Sequence, residues 1–293
     1  MGRTSIVSAA IAALVLSGAA APPPSMNDIL AHSPDGDWRA IDAANTLVMA
    51  LPHGRVTIEL APSFAPDTIA NIKTLVRAHY FDGSFIVRAQ ENYVVQWARM
   101  DRRPIGTAKK TIPAEFDRAA AGVQFRALPD PDTYARETGF SSGFPAARDP
   151  ANGRIWLAHC YGMVGVGRDV AADSGNGSEI YAVIGQSPRT LDRNITLVGR
   201  VVLGIERLSV VPRGPGAMGF YDKPSDFVPI RSVRLASDVP EGERLRLEAL
   251  RTDSATFRAV VESRANRREE WFKYPVGSIG VCNVPLPVRV KEG

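Results

Sequence analysis

The stretch from Tyr80 to Met100, YFDGSFIVRAQENYVVQWARM, constrains the fold more tightly than any other part of the chain. Phe85-Ile86-Val87 and Tyr93-Val94-Val95 are short apolar runs on either side of the polar Gln90-Glu91-Asn92, the pattern of two strands joined by a turn. Two polar side chains, Arg88 and Gln96, interrupt these runs eight residues apart. Residues an even number apart on an extended chain share a face, so a turn that keeps register puts both on one side of a sheet, with Tyr93 close by. That sets a guanidinium and an amide among apolar walls, and what they serve has to come from the chain around them.

The rest of the chain reads mainly as β structure. Thr46–Leu51 and Arg55–Leu60 form a hairpin around Pro52-His53-Gly54, and the alternation in its second arm predicts one buried face. Pro62 to Pro66 breaks the strand, and Asp67 is placed to cap a helix from about Thr68 to His79. Ile69, Ile72, Leu75 and Val76 give that helix an apolar stripe suited to closing one end of a sheet. After Met100, Ile112–Phe116 is a short extended piece. Residues 117–153 hold Asp-Pro steps and Ser141-Ser142-Gly143 with little periodicity, and read as a long surface insertion. Strand signals return at Ile155–Cys160, Gly162–Val166, Glu179–Ile184 and Ile195–Val202, with a glycine-rich loop over 173–178 and a turn at Leu191-Asp192. Ile205–Leu208 is a short helix or turn, 212–226 a Gly/Pro-rich loop, and Val228–Leu235 a last alternating strand. From Ser237 the character changes: 241–250 fits strand or helix, 253–272 reads as a helix, and Ile279–Val281 is strand-like. No internal repeat is visible.

At the N-terminus, Arg3 precedes an apolar run from Ile6 to Leu16, then small residues and three prolines. A charged start, a short apolar region and small residues before a break describe a secretory signal peptide over residues 1–21, with cleavage near Ala20. The run is too short for a permanent membrane span, and no cysteine stands at the cleavage region for a lipid anchor. A mature protein in a bacterial periplasm is expected, with residues 22–44 as a linker into a domain over 45–236 and an extension over 237–293. Cys160 and Cys282 either form one disulfide or remain two buried thiols. The four histidines, His32, His53, His79 and His159, lack ligand spacing, so no metal is expected. The formal charge of +4, from 35 basic and 31 acidic residues, comes without a basic stripe interleaved with aromatics, which argues against nucleic-acid binding.

Seven pieces in order carry a resemblance to a known family. They are Val56–Leu60, Ala65-Pro66-Asp67-Thr68-Ile69-Ala70-Asn71-Ile72, Tyr80-Phe81-Asp82-Gly83, Phe85–Gln96, Asn176-Gly177-Ser178-Glu179-Ile180-Tyr181, Leu191-Asp192 and Val198–Val202. Together they resemble the cyclophilin-type peptidyl-prolyl cis-trans isomerases over residues 45–236. The resemblance implies a mainly β fold, a closed eight-stranded antiparallel barrel capped by two helices, with a mixed C-terminal extension. It also implies an isomerase that helps exported proteins fold, working without a cofactor as a monomer on proline-containing polypeptides. An X–Pro bond rotates over a barrier of about 18–20 kcal/mol because amide resonance must break. A donor aimed at the prolyl nitrogen holds its lone pair as it pyramidalises, and each ~1.4 kcal/mol of selective stabilisation gives tenfold in rate. By resemblance Arg88 is that donor and Gln96 the amide that orients it.

The same resemblance implies substrate-binding roles for Tyr93, Val94, Arg168, Glu179, Tyr181, Thr190, Leu191 and Ile195. Several of these depart from the family pattern. Val87 stands where a histidine is usual and Trp97 where a glycine is; Arg168 replaces an asparagine, Glu179 a glutamine, and Thr190 and Ile195 a tryptophan and a histidine. A pairing of Arg168 with Glu179 is expected, and Trp97, Trp156 and Trp271 are read as packing residues. Two other readings stay open at this point: a catalytically weak module that grips proline-containing segments or a partner, and a barrel that merely carries a functional extension.

Overall fold

The computed structural model describes residues 24–101 and 103–291; the signal peptide expected over residues 1–21 lies outside them. Helix α1 (Met26–Ala31) and strand β1 (Trp38–Ala40) lead into the hairpin β2 (Thr46–Leu51) and β3 (Gly54–Leu60). Helix α2 (Pro66–Arg77) follows, then the hairpin β4 (Ser84–Ala89) and β5 (Val94–Ala98). Next come β6 (Arg118–Ala119), β7 (Arg126–Ala127), β8 (Glu137–Ser141), β9 (Phe144–Asp149) and β10 (Arg154–Leu157). The chain continues through β11 (Met163–Val166), β12 (Ile180–Val183), β13 (Leu197–Leu203) and helix α3 (Ile205–Ser209). It ends with β14 (Val228–Ile230), β15 (Ser232–Leu235), β16 (Leu247–Leu250), α4 (Ala255–Ala265) and β17 (Val288–Val290).

Among the described residues, nine strands form one antiparallel sheet in the order β14-β4-β5-β12-β11-β13-β3-β2-β15. Its two edges belong to a single piece of chain. β14 pairs with β4, β15 pairs with β2, and only Arg231 lies between them. The Arg231 N–H donates to the Ala50 carbonyl at 2.9 Å, and the Gly83 N–H to the Ile230 carbonyl at 3.1 Å. The last alternating strand of the sequence is therefore split in two where it crosses from one neighbour to the other. The eight-stranded barrel is a nearly closed one of nine, and closure leaves few unpaired edges.

The barrel core holds Val56, Ile58 and Leu60 of β3 together with Ile69, Ile72, Leu75 and Val76 of α2, and α3 adds Leu208. Helix α2 starts two residues earlier than expected, and Asp67 does not cap it. The Glu115 carboxylate does, accepting from the backbone N–H groups of Asp67 and Thr68 at 3.0 and 2.9 Å. A negative charge there satisfies free N–H groups and faces the positive end of the helix dipole. The second face of β3 is not solvated either. Glu59 is buried because Arg39 reaches it at 2.6 Å and Arg200 at 3.2 Å.

The segments expected as linker, insertion and appendage build a second core. The capping box of Ser25 and Asp28 starts α1, and β1 pairs with β16, which pairs with β17. Residues 117–153, expected to be irregular, contribute to a five-stranded sheet in the order β6-β10-β9-β8-β7. Thr138–Ser141 and Phe144–Ala147 are buried on both faces, which erases the alternation that marks a half-exposed strand. The strand expected at Ile155–Cys160 stops at Leu157 and belongs to this sheet, not the barrel. Helix α4 ends at Ala265 instead of running to Phe272, so Trp271 is 81% exposed, while Trp97 and Trp156 are buried as expected. The strand-like Ile279–Val281 gives way to a 3-10 turn at Val281–Asn283.

Phe140 of β8 meets Phe257 of α4 edge to face at 5.1 Å between ring centres. The same core reaches Ala61, Phe64, Val94, Tyr181, Val183 and Leu197 on the outer surface of the barrel. Cys160 and Cys282 are joined in a disulfide with their Cα atoms 4.9 Å apart, which decides between the two thiol readings. It ties the C-terminal segment to the barrel across 122 residues of sequence. Replacing both cysteines by serine is expected to lower the unfolding free energy by about 2–4 kcal/mol. Urea denaturation of the two proteins measures it; coincident midpoints under oxidising conditions would contradict the account.

Candidate active site

The site is a row of residues running across four strands on the outer surface of the barrel. Cross-strand pairing aligns Arg88 of β4 with Gln96 of β5, Gln96 with Tyr181 of β12, and Tyr181 with Gly165 of β11. Arg88 reaches this face through a bulge. The β4–β5 register shifts between Ile86 and Arg88, and both Ile86 and Ala89 lie in the barrel core. In a regular strand Arg88 would follow Ile86 inward at a spacing of two; the extra residue, Val87, turns it out beside Gln96.

The guanidinium is held at three points. Nη1 donates to Gln96 Oε1 at 3.2 Å, Nη2 to Gln90 Oε1 at 2.5 Å, and Nε to the Met218 carbonyl at 2.7 Å. Its carbon lies 5.5 Å from the Tyr93 ring centre and 5.3 Å from that of Phe220, both within cation–π range. Among the described residues these bonds occupy three of the five N–H groups, leaving one on each terminal nitrogen. Burial draws the Arg88 pKa below its usual value, with Tyr93 opposing the shift. A guanidinium nevertheless stays charged at neutral pH.

Gln96 is itself oriented. Its Nε2 donates to Glu179 Oε2 at 2.9 Å, so its carbonyl oxygen is the atom left to face Arg88. Glu179 thus serves Gln96, and the expected pairing of Glu179 with Arg168 is absent among the described residues. Arg168 donates to the Asn194, Asp169 and Val170 carbonyls and lies over the Phe116 ring at 5.5 Å. These backbone carbonyls take the donors that the Glu179 carboxylate would otherwise attract.

Tyr93 is half-buried, whereas Val94 and Tyr181 are buried. The Tyr181 ring lies across Gly165: a Cβ there would come within 2.3 Å of its hydroxyl oxygen. Leu191 and Ile195 are partly buried, and Ile195 packs on the second core. Thr190 is exposed, its hydroxyl donating to the Ser187 carbonyl at 3.3 Å. The structure therefore joins Arg88, Gln96, Tyr93, Glu179 and Tyr181 through direct contacts or shared register, and leaves Arg168 to backbone carbonyls and the Phe116 ring and Thr190 to the Ser187 carbonyl.

Sequence reasoning did not single out Gln90, the Met218 carbonyl, Phe220, His159 or Gly165. Gln90 was legible only as a turn residue. The contribution of the 212–226 loop depends on a close approach that sequence does not encode in a motif: Gly219 has φ +79°, and a Cβ there would stand 2.7 Å from Gln90 Cα.

A model of the family described as cyclophilin type peptidyl-prolyl cis-trans isomerase/CLD matches residues 46–235, well over half of the chain. The chain belongs to this family and is a peptidyl-prolyl cis-trans isomerase. A "Probable peptidyl-prolyl cis-trans isomerase" of Brucella suis biovar 1 (strain 1330) is 28% identical over 179 residues, covering 61% of this chain and 76% of the relative. A Brucella abortus (strain 2308) protein of the same name is 27% identical over the same length. Among solved structures, cyclophilin AquaCyp293 from Hirschia baltica superposes with a TM-score of 0.70 at 23% identity, covering 91% of this chain and 98% of its own. That coverage extends past the barrel, so the likeness of fold includes much of the second core.

Replacing Glu179 by leucine frees the Gln96 amide to turn over and point donors at Arg88. Loss of one orienting hydrogen bond is expected to lower kcat/KM about threefold to tenfold. Isomerisation rates on an X–Pro peptide measure it, and an unchanged rate would show that Gln96 needs no such support.

Proposed function

We propose that this isomerase acts on X–Pro bonds of exported polypeptides, with Arg88 as the donor to the prolyl nitrogen and Gln96 as its orienting partner. The observation that carries this reading is the fixed Arg88 guanidinium, held by Gln96, Gln90 and the Met218 carbonyl and keeping one N–H on each terminal nitrogen. A donor already fixed costs no reorganisation when the amide twists, which is how a preorganised charge favours a transition state over a ground state. As the C–N bond rotates, the nitrogen lone pair leaves conjugation with the carbonyl. A guanidinium N–H donates a hydrogen bond to that lone pair, no covalent bond forms, and the proton stays on arginine. Tyr93, Val94, Tyr181, Leu191 and Ile195 would wall the proline ring, and Thr190 and Arg168 would border the flanking peptide.

Arg88→Ala is expected to lower kcat/KM in a protease-coupled assay by on the order of a hundredfold. Arg88→Lys should lose most of the activity as well, because a compact ammonium cannot reproduce three fixed acceptor contacts and two free donors. An alanine variant as fast as wild type would sink the assignment, and a fast lysine variant would mean that charge alone suffices.

The proposed compartment is outside the cytoplasm. The signal-peptide pattern of residues 1–21 supports it, and so does the Cys160–Cys282 disulfide, since such bonds persist where thiols are not kept reduced. No helix among the described residues is long and apolar enough to cross a membrane. After expression in a Gram-negative host, intact-mass analysis of the periplasmic fraction should give a chain beginning near Ala20; a full-length protein confined to the cytoplasm would contradict this.

A further inference from the structure

Behind the Arg88 row lies a buried polar chain that the reaction as described above does not use. The backbone N–H of His159 donates to Asp192 Oδ1 at 2.9 Å, and the ring Nδ1 lies 2.9 Å from the same oxygen. On the other side of the ring, Nε2 lies 2.9 Å from the Tyr181 hydroxyl. The second oxygen of Asp192 accepts from Arg189 Nε at 2.8 Å, and Arg189 Nη1 donates onward to Asp132 Oδ2 at 2.5 Å. His159 is 1% exposed and Arg189 6%.

The chemistry fixes the direction of these bonds. An ionised carboxylate only accepts, so the Asp192 contact places the imidazole proton on Nδ1 and leaves Nε2 as an acceptor. The Tyr181 hydroxyl donates to it. Asp192 stays ionised: burial pushes its pKa up, but the His159 hydrogen bond and the Arg189 cation outweigh burial and hold the carboxyl below its usual value. Tyr181 stays protonated because burial, helped by Tyr93 and Asp192, raises its pKa well above the usual one. The ring of Tyr181 is thus fixed at two places, against Gly165 along its edge and by His159 at its hydroxyl.

We propose that His159 is a positioning residue for the isomerisation: by accepting the Tyr181 hydroxyl it holds the Tyr181 ring as the floor of the prolyl pocket and so sets how tightly proline is bound. The inference rests on the reading of Tyr181 as a pocket residue given above. A proline ring offers its pocket no hydrogen-bonding group, so the grip comes from contact area and depends on where the aromatic floor lies. A doubly protonated imidazole has no acceptor left: its Nε2–H then donates to the Tyr181 oxygen, the bond reverses, and the tyrosine proton must turn away without a partner in a dry place.

The groups that face His159 are Asp192, Tyr181 and, through Asp192, Arg189. Burial lowers the His159 pKa from its usual value, and the Asp192 contact opposes this without reversing it. The neutral imidazole therefore prevails at neutral pH, and its loss comes only on acidification past the ordinary histidine range of about 6.5. Binding that needs the neutral ring should weaken as pH falls, while the Arg88 guanidinium stays charged throughout.

Exchange NMR on an X–Pro peptide with the full chain, which needs no coupling protease, gives KM and kcat between about pH 5 and pH 8. Wild type should show a flat KM near neutrality and a rise of severalfold towards the acid end. Tyr181→Phe removes a single oxygen and keeps the ring. It should raise KM at pH 7.5 about threefold to tenfold, with a smaller effect on kcat, and abolish the acid rise. His159→Gln offers an amide carbonyl to the hydroxyl at every pH, so it should keep a near wild-type KM at pH 7.5 and also lose the acid rise. A purely structural histidine would not predict that split between neutral and acid behaviour. Tyr181→Phe with the wild-type KM and pH profile overturns the inference, whether or not the histidine variant folds. An inactive Arg88→Ala beside a silent Tyr181→Phe overturns this inference alone; a fully active Arg88→Ala overturns the site reading beneath it.

Discussion

A guanidinium can stand half out of water beside a reacting amide only if the donors it does not lend to substrate have acceptors of their own. That requirement organises the face of the barrel that carries Arg88. Arg88 takes its acceptors from three different places: a side chain on the neighbouring strand, a side chain in the hairpin turn, and a carbonyl from the 212–226 loop. Gln96 in turn needs Glu179 to keep its oxygen towards the arginine. Each contact is a hydrogen bond with one charged partner, worth about 1.5–3 kcal/mol net. Together they remove the freedom that a long side chain would otherwise have, and with it the cost of finding the reactive geometry.

The outer surface of the barrel does two jobs at once, because the row that holds Arg88 and Gln96 continues into residues that pack against the second core. Tyr181 belongs to that core and also lies next to Gln96 in register. The N-terminal segment, the sheet formed from β6 to β10 and the C-terminal helix therefore support one end of the site instead of standing apart from it. Arg39 and Arg200 on Glu59, Phe140 against Phe257, and the disulfide are the particular links. Residues after Ser237 share a sheet with β1 and a covalent bond with Cys160, so the extension is built into the rest of the chain.

Much of the barrel was legible because its strands alternate and its helix α2 carries an apolar stripe. The facing pair of Arg88 and Gln96 was legible too, although the spacing argument reached the right face by a simpler route than the chain takes. An even count over a regular turn predicts it; the bulge at Val87 produces it. What stayed hidden has a common physical cause. Strands buried on both faces, such as Phe144–Ala147, have no alternation to read, and short β6 and β7 have no length. Contacts made across long sequence separations, such as Glu115 on α2 and His159 on Tyr181, leave no local pattern. Trp271 shows the converse error, since an aromatic residue at the end of an apparent helix proved exposed once the helix stopped at Ala265.

The central claim is that the prolyl nitrogen meets the free N–H groups of Arg88. Side-chain NMR of the guanidinium during titration with an X–Pro peptide reads those groups directly. The account predicts that the terminal Nη resonances of Arg88 shift on binding while Nε, bonded to the Met218 carbonyl, moves little. Peptide that exchanges between cis and trans under catalysis without any perturbation of the Arg88 resonances would contradict it.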